Sequence, residues 1–244
     1  MTGAEAALRR ELAAAFRWTA RFNWHESVAN HFSAVIPGDE QHFLMNPIGA
    51  HFSRVRASSL VRLESAGAAA DRVDPRADPT AWHLHSNLHR LMPRAKVALH
   101  THQPYTTALA CLDGYEFQML DQNACRFYGR IAYDRDYGGM FLDGGEGERV
   151  ARMLGDDKAV LMLGNHGVLV IGNSVAEAFE DLYYLERASY VQVLALSTGQ
   201  RLAVLSDEVA ALTCKQWFEY PAACDLHLRA LMEILDEDEP GYAD

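Results

Sequence analysis

Cysteine is scarce: the 244 residues hold four, Cys111, Cys125, Cys214 and Cys224, and none forms a C-x-x-C pair. That density gives no disulfide framework and that spacing no metal knuckle, so the four read as thiols in a reducing cytoplasm. Basic residues are outnumbered too, 22 Lys and Arg against 33 Asp and Glu, for a net charge of −11. Without a basic excess there is nothing to neutralise phosphates broadly, which argues against nucleic acid and anionic membranes as partners. No run approaches the ~18 apolar residues of a membrane span. Residues 1–10 lack the apolar stretch of a secretory signal. There is no G-x-G-x-x-G, no Walker loop and no G-x-S-x-G, so nucleotide and α/β-hydrolase chemistry lose their main support.

What remains is the composition of a globular chain, 49% hydrophobic and 23% charged, long enough to bury a core without staples. Eleven histidines, about which the net charge says nothing, carry the chemical interest.

The patterning is mixed. Residues 4–22 predict an amphipathic helix, with Leu8, Leu12, Ala15, Phe16 and Thr19 at spacings of three and four. Residues 30–36 and 42–45 predict a hairpin around Pro37-Gly38-Asp39, and residues 64–79 an exposed loop or weak strand. Thr80 heads a predicted helix to Leu91. Residues 96–102 read as a strand, 104–112 and 145–154 as helices, and 158–163 with 168–171 as a second hairpin. Ser174 caps a helix over 175–198, Asp207 opens another to about Tyr220, and the acidic end DEDEPGYAD is expected to fray. This order favours α/β layers with antiparallel pairs over a doubly wound parallel sheet.

His100-Thr101-His102 is the sharpest local feature. On a strand, alternate side chains share a face, so the two imidazoles can chelate one cation. Alone the motif is weak, since two histidines at a strand end can have unrelated partners. His166 strengthens it. It sits in a tight turn between Gly164 and Gly167 after an apolar strand, where glycine permits positive φ and close backbone approach. Three histidines leave coordination positions open, as a catalytic metal requires.

PRAKVALHTHQPYTTALAC and AVLMLGNHGVLVIGNSVAEAFEDLYYLERASYVQVLAL, preceded by ANHFSAVIPG and HFLMNPIGAHFSRVRASSLVRL, resemble the class II aldolase/adducin family over roughly residues 7–220. The resemblance implies a single-domain three-layer α/β/α fold with a mainly antiparallel sheet across residues 1–244, with an acidic tail from about 236. It also implies one divalent metal per subunit on His100, His102 and His166, and a homotetramer. The family's sugar-phosphate aldolases carry an acid/base carboxylate ahead of the H-x-H, and Ala81 stands at that place here. Pro79 and Thr80 replace their phosphate-holding serines, while Asn30 and Gly49 fit the other phosphate positions in part, so a phosphorylated substrate is disfavoured.

His85, four residues along the helix from Ala81, is the first candidate for the missing acid/base, with His89 to join or orient it. The competing reading makes His85 a hydrogen-bonded structural histidine. Tyr220 lies near the place of the family's C-terminal tyrosine, and Gln122 at about the place where some family aldolases carry a tyrosine from a neighbouring subunit. Tyr220 is either a proton donor across an interface or a packed aromatic. Arg54, Arg56, Arg126 and Arg130 are candidates for a substrate carboxylate, Glu186 is expected to pair with Arg187, and His25, His31, His42 and His51 read as surface or structural.

The expected activity is a metal-dependent carbon–carbon lyase, aldolase or decarboxylase, on a small anionic hydroxy or oxo acid through a metal-stabilised enediolate. Zinc, manganese, iron and cobalt all suit imidazole. The alternatives are a non-haem iron oxygenase on the same histidines and a non-catalytic, adducin-like assembly domain.

Overall fold

The computed structural model describes residues 2–65, 73–139, 144–220 and 222–244. The expected loop at 64–79 therefore lies partly outside the described residues. One sheet of seven strands organises the molecule: β1 (His31–Ile36), β2 (Asp39–Met45), β3 (Val61–Glu64), β4 (Val97–Thr101), β5 (Ile131–Asp134), β6 (Val160–Leu163) and β7 (Gly167–Gly172). Their order is β3-β2-β1-β4-β7-β6-β5, antiparallel throughout except for β5 and β6. That parallel pair is joined through a helix, as such a crossover requires.

The helices are α1 (Gly3–Arg21), α2 (Pro79–Leu91), α3 (Pro104–Ala110), α4 (Gln122–Cys125), α5 (Gly144–Leu154), α6 (Val175–Ser197), α7 (Asp207–Glu219) and α8 (Ala223–Asp238). They cover both faces of the sheet. On one face Leu84, Leu88, Val150 and Leu154 of α2 and α5 pack on Ala98, Leu161, Leu163 and Leu169. On the other, Leu12 and Phe16 of α1, Phe179 and Leu182 of α6 and Leu231 of α8 pack on Phe32, Leu99, Met162 and Val170. The period-two alternation of β4 splits between these layers: Val97 and Leu99 face α1 and α6, while Ala98 faces α2 and so does His100. The expected α/β/α sandwich with a mainly antiparallel sheet is thus present.

Local signals set most boundaries. Ser174 accepts from Glu177 N and starts α6, and Ser206 does the same for α7 from Val209 N. Helix α2 starts earlier than expected, because Asp78 and not Thr80 is its cap and Pro79 occupies the first turn.

The acidic end is not frayed. Residues 223–238 form α8, whose Leu228, Leu231 and Leu235 are buried, and Tyr242 beyond it is fully buried. Arginines of α1 hold the segment: Arg10 on Asp236 at 2.6 Å, Arg17 on Glu239 at 2.9 Å and Arg21 on Glu239 at 2.8 Å. Exposed ion pairs contribute about 0–1 kcal/mol each, whereas truncating a buried aromatic costs about 3–5 kcal/mol. Tyr242→Ala is therefore expected to destabilise by about 3 kcal/mol or more and Arg10→Ala by less than about 1 kcal/mol. Urea unfolding at fixed protein concentration measures both.

Candidate metal centre

Strand β4 is paired on both sides, and this double pairing assembles the centre. Register with β7 sets Thr101 opposite Val168, which brings the β6–β7 turn carrying His166 against the end of β4. The three imidazoles converge, with ring centroids 4.8–5.0 Å apart and one nitrogen of each within 4.8 Å of the others. His100 Nε2 and His102 Nε2 lie 3.2 Å apart. Two ligands about 2.0–2.1 Å from a tetrahedral ion are about 3.3 Å from each other, so the pair has a chelating span. His100 Nδ1 donates to Val168 O at 3.0 Å, which fixes the proton there and leaves Nε2 bare. Burial lowers the pKa of all three, His166 to about 4, and keeps them in the neutral form that binds cations. The donor set fits a divalent metal.

The turn glycines act by close approach. A Cβ on Gly167 would stand 2.6 Å from Thr101 O and 2.7 Å from the His102 ring, and one on Gly164 would stand 2.8 Å from Asp134 O. The positive φ expected of these glycines falls instead on Asn165, at 55°.

On its other side β4 pairs with β1, and the register puts His31 directly opposite His100. The two rings lie 4.8 Å apart. His31, read from sequence as surface or structural, is 5% exposed and lies beside the centre. Beneath it runs a continuous polar chain. His31 Nδ1 meets His85 Nε2 at 2.7 Å, His85 Nδ1 meets Ser33 Oγ, Ser33 Oγ meets His89 Nε2 at 2.7 Å, and His89 Nδ1 donates to Ala95 O at 2.7 Å. Burial pushes the pKa of His31 down to about 3, that of His89 to about 4, and that of His85 well down.

His85 is thus fully buried with both ring nitrogens bonded by the protein; it backs His31 and does not itself open to solvent. Tyr220 is 67% exposed at the end of α7 and lines a surface cavity with Gln122, Tyr184 and Trp217, which none of the three metal-site histidines lines. Tyr137, which sequence reasoning passed over, has its ring 6.1 Å from that of His166.

Position 81 carries no acid: Ala81 is fully buried in an apolar cluster with Val35, Met45, Val61 and Trp82. At the start of α2 the Asp78 carboxylate accepts from Thr80 N at 2.9 Å and Ala81 N at 3.3 Å and from the Thr80 hydroxyl at 2.5 Å. A carboxylate already fills the positive end of the helix, where a phosphate would be repelled.

Two of the arginines proposed for substrate are engaged. Arg126 and Arg130 both bind the buried Asp181, at 2.6 and 2.7 Å. Glu186 accepts from Tyr105 N and Thr106 N, each at 2.9 Å, and caps α3 instead of pairing with Arg187. Asn30 is 1% exposed; its Oδ1 accepts from Glu26 N at 2.6 Å, and its Nδ2 has no partner among the described residues.

A family profile described as "Class II Aldolase and Adducin N-terminal domain" matches residues 10–193. A Caulobacter vibrioides protein named "Putative aldolase class 2 protein" is 34% identical over 99% of this chain and 93% of its own length. Alpha-adducin of Rattus norvegicus is 32% identical over 80% of this chain, which spans only 26% of the adducin. Among solved structures, an aldolase II superfamily protein from Pseudomonas syringae superposes with a TM-score of 0.89 at 32% identity, covering 100% of this chain and 98% of that one. An L-fuculose 1-phosphate aldolase from Glaciozyma antarctica PI12 shares the fold at a TM-score of 0.83 and 24% identity, over 98% of this chain and 92% of its own.

Two outcomes are expected. Gly167→Ala, by displacing His102, weakens divalent-metal binding about 10–100-fold, the loss typical when a ligand's support is disturbed, as titration calorimetry reads. The metal-free protein loses stability as pH falls from 6.5 towards 4, because an unfolded histidine takes up a proton there and the buried His89 does not. The slope contributed by such a residue is about 1.4 kcal/mol per pH unit, read from urea midpoints across that window.

Proposed function

The chain belongs to the class II aldolase and adducin family, and from that premise we propose a divalent-metal-dependent carbon–carbon lyase, of aldolase or decarboxylase type, acting on a small chelating hydroxy or oxo acid. The observation that carries the reading is the convergence of His100, His102 and His166 with an alanine, not a carboxylate, at position 81.

These three residues would hold the cation, which when bound supplies a Lewis acid for the negative charge that develops on a substrate's oxygens. Three neutral imidazoles would leave the charge of a bound ion uncancelled, so the pocket would be locally cationic in a chain of net charge −11. That pocket favours an anionic, bidentate ligand. The Asp78 cap supports a substrate without a phosphate on that side. Of the two proton donors expected from sequence, His85 has both ring nitrogens bonded inside the protein, so the proton that quenches the cleaved fragment is assigned to Tyr220 of a neighbouring copy. The exposure of Tyr220, with Leu212 and Phe218 of the same helix also about half exposed, suits a subunit contact in a homotetramer. No described helix is long and apolar enough to cross a membrane, and we assign the enzyme to the cytoplasm.

The likeness to alpha-adducin favours a second reading, a non-catalytic assembly domain. Elemental analysis separates the two. The lyase reading expects about one divalent ion per chain, lost in His100→Ala and His166→Ala, and metal-free purified protein would support the domain reading. Turnover of a panel of small hydroxy and oxo acids is expected to fall at least about 100-fold in the same variants and to persist without oxygen. A rate that stops under anaerobic conditions would point to an iron oxygenase instead.

A further inference from the structure

The chain of bonds behind His31 has a direction. Ala95 O is a carbonyl and can only accept, so His89 carries its proton on Nδ1 and, neutral, presents a bare Nε2. Ser33 must then give its single proton to His89 Nε2 and accept from His85 Nδ1. With its proton on Nδ1, His85 offers a bare Nε2, which accepts from His31 Nδ1. No choice remains at any link. Each ring is buried, and its partners in the chain are other imidazoles, one hydroxyl and one carbonyl. Asp78 and Lys96 are the nearest charges acting on His31 and His89 from outside the chain, and His102 and His166 also face His31.

The last proton position falls beside the metal centre. His31 Nε2 has no hydrogen-bond partner among the described residues, and the His31 ring lies 4.8 Å from that of His100. We propose that Ser33, His85 and His89 are positioning residues that fix His31 as its Nδ1–H tautomer, so that its bare Nε2 stands beside His100 as a permanent hydrogen-bond acceptor for the hydroxyl of a chelated hydroxy acid. The substrate named rests on the lyase reading above, while the tautomer relay does not. His85 thereby acts on the site through His31. Ala95 O, which precedes β4, orients an imidazole four links away.

The test reads the tautomer without turnover. In metal-free protein with 15N-labelled histidine at neutral pH, the His31 resonances, assigned by their loss in His31→Asn, are expected to show a protonated Nδ1 and an unprotonated Nε2. Ser33→Ala removes the hydroxyl that dictates the direction, so the His31 Nε2 resonance is expected to move towards the protonated position. Ser33→Thr, which keeps the hydroxyl, is expected to restore it. His89→Leu cuts the same chain at its anchored end and is expected to shift His31 as Ser33→Ala does, which covers a failure of either variant to fold. A protonated Nε2 in the unsubstituted protein, or a His31 signal unmoved in whichever variant folds, would overturn the relay. Absence of lyase activity alone would overturn only the substrate.

Discussion

Strand β4 is the constraint on which the molecule depends. It is the fourth of seven strands and is laddered to β1 on one side and β7 on the other. A one-residue slip in either ladder would turn the buried set of β4 to the wrong layer, and with both faces covered such a slip is strongly opposed. The same ladders carry the chemistry. One brings the His166 turn over the H-x-H, and the other brings His31 against His100. The precision of the centre is therefore borrowed from the packing of the sheet.

The two faces of the sheet are used differently. Under α1, α6 and α8 the layer is apolar and aromatic, with Phe16, Phe32 and Phe52 in mutual contact. Under α2 the layer is apolar around Ala81, Trp82, Leu84 and Leu88. Between them His85 and His89 face Ser33 and His31, and a buried polar seam runs through the core. Buried polar groups are costly unless each is matched, and in this seam each link of the chain is matched. The seam ends at His31, whose ring lies 4.8 Å from that of His100.

What was legible in the sequence follows the range of each signal. H-x-H is a local period, and a histidine held between turn glycines is a local turn, so the convergence of His100, His102 and His166 was open to anticipation. Helix caps at Ser174 and the stripe of α1 are equally local. The proximity of His31 was not legible, because cross-strand register between β1 and β4 spans some seventy residues and leaves no mark near either strand. The same reason hid the role of Glu186, whose partners lie 80 residues away, and the clasp on the acidic end, whose arginines lie over 200 residues upstream. Helix α8 is different: Leu228, Leu231 and Leu235 keep a helical spacing that the run of acids masked. Strands β3 and β5 are four residues each, and β3 alternates as VRLE over too few positions to stand out from its surroundings.

The apolar packing around Ala81 has a consequence for redesign. A carboxylate introduced at that position would enter an apolar cluster with Val35, Met45, Val61 and Trp82, at a cost of several kcal/mol against a total stability of about 5–15 kcal/mol. The fold therefore resists an acid introduced at this position by a single substitution, and an acid there would need its neighbours to change with it.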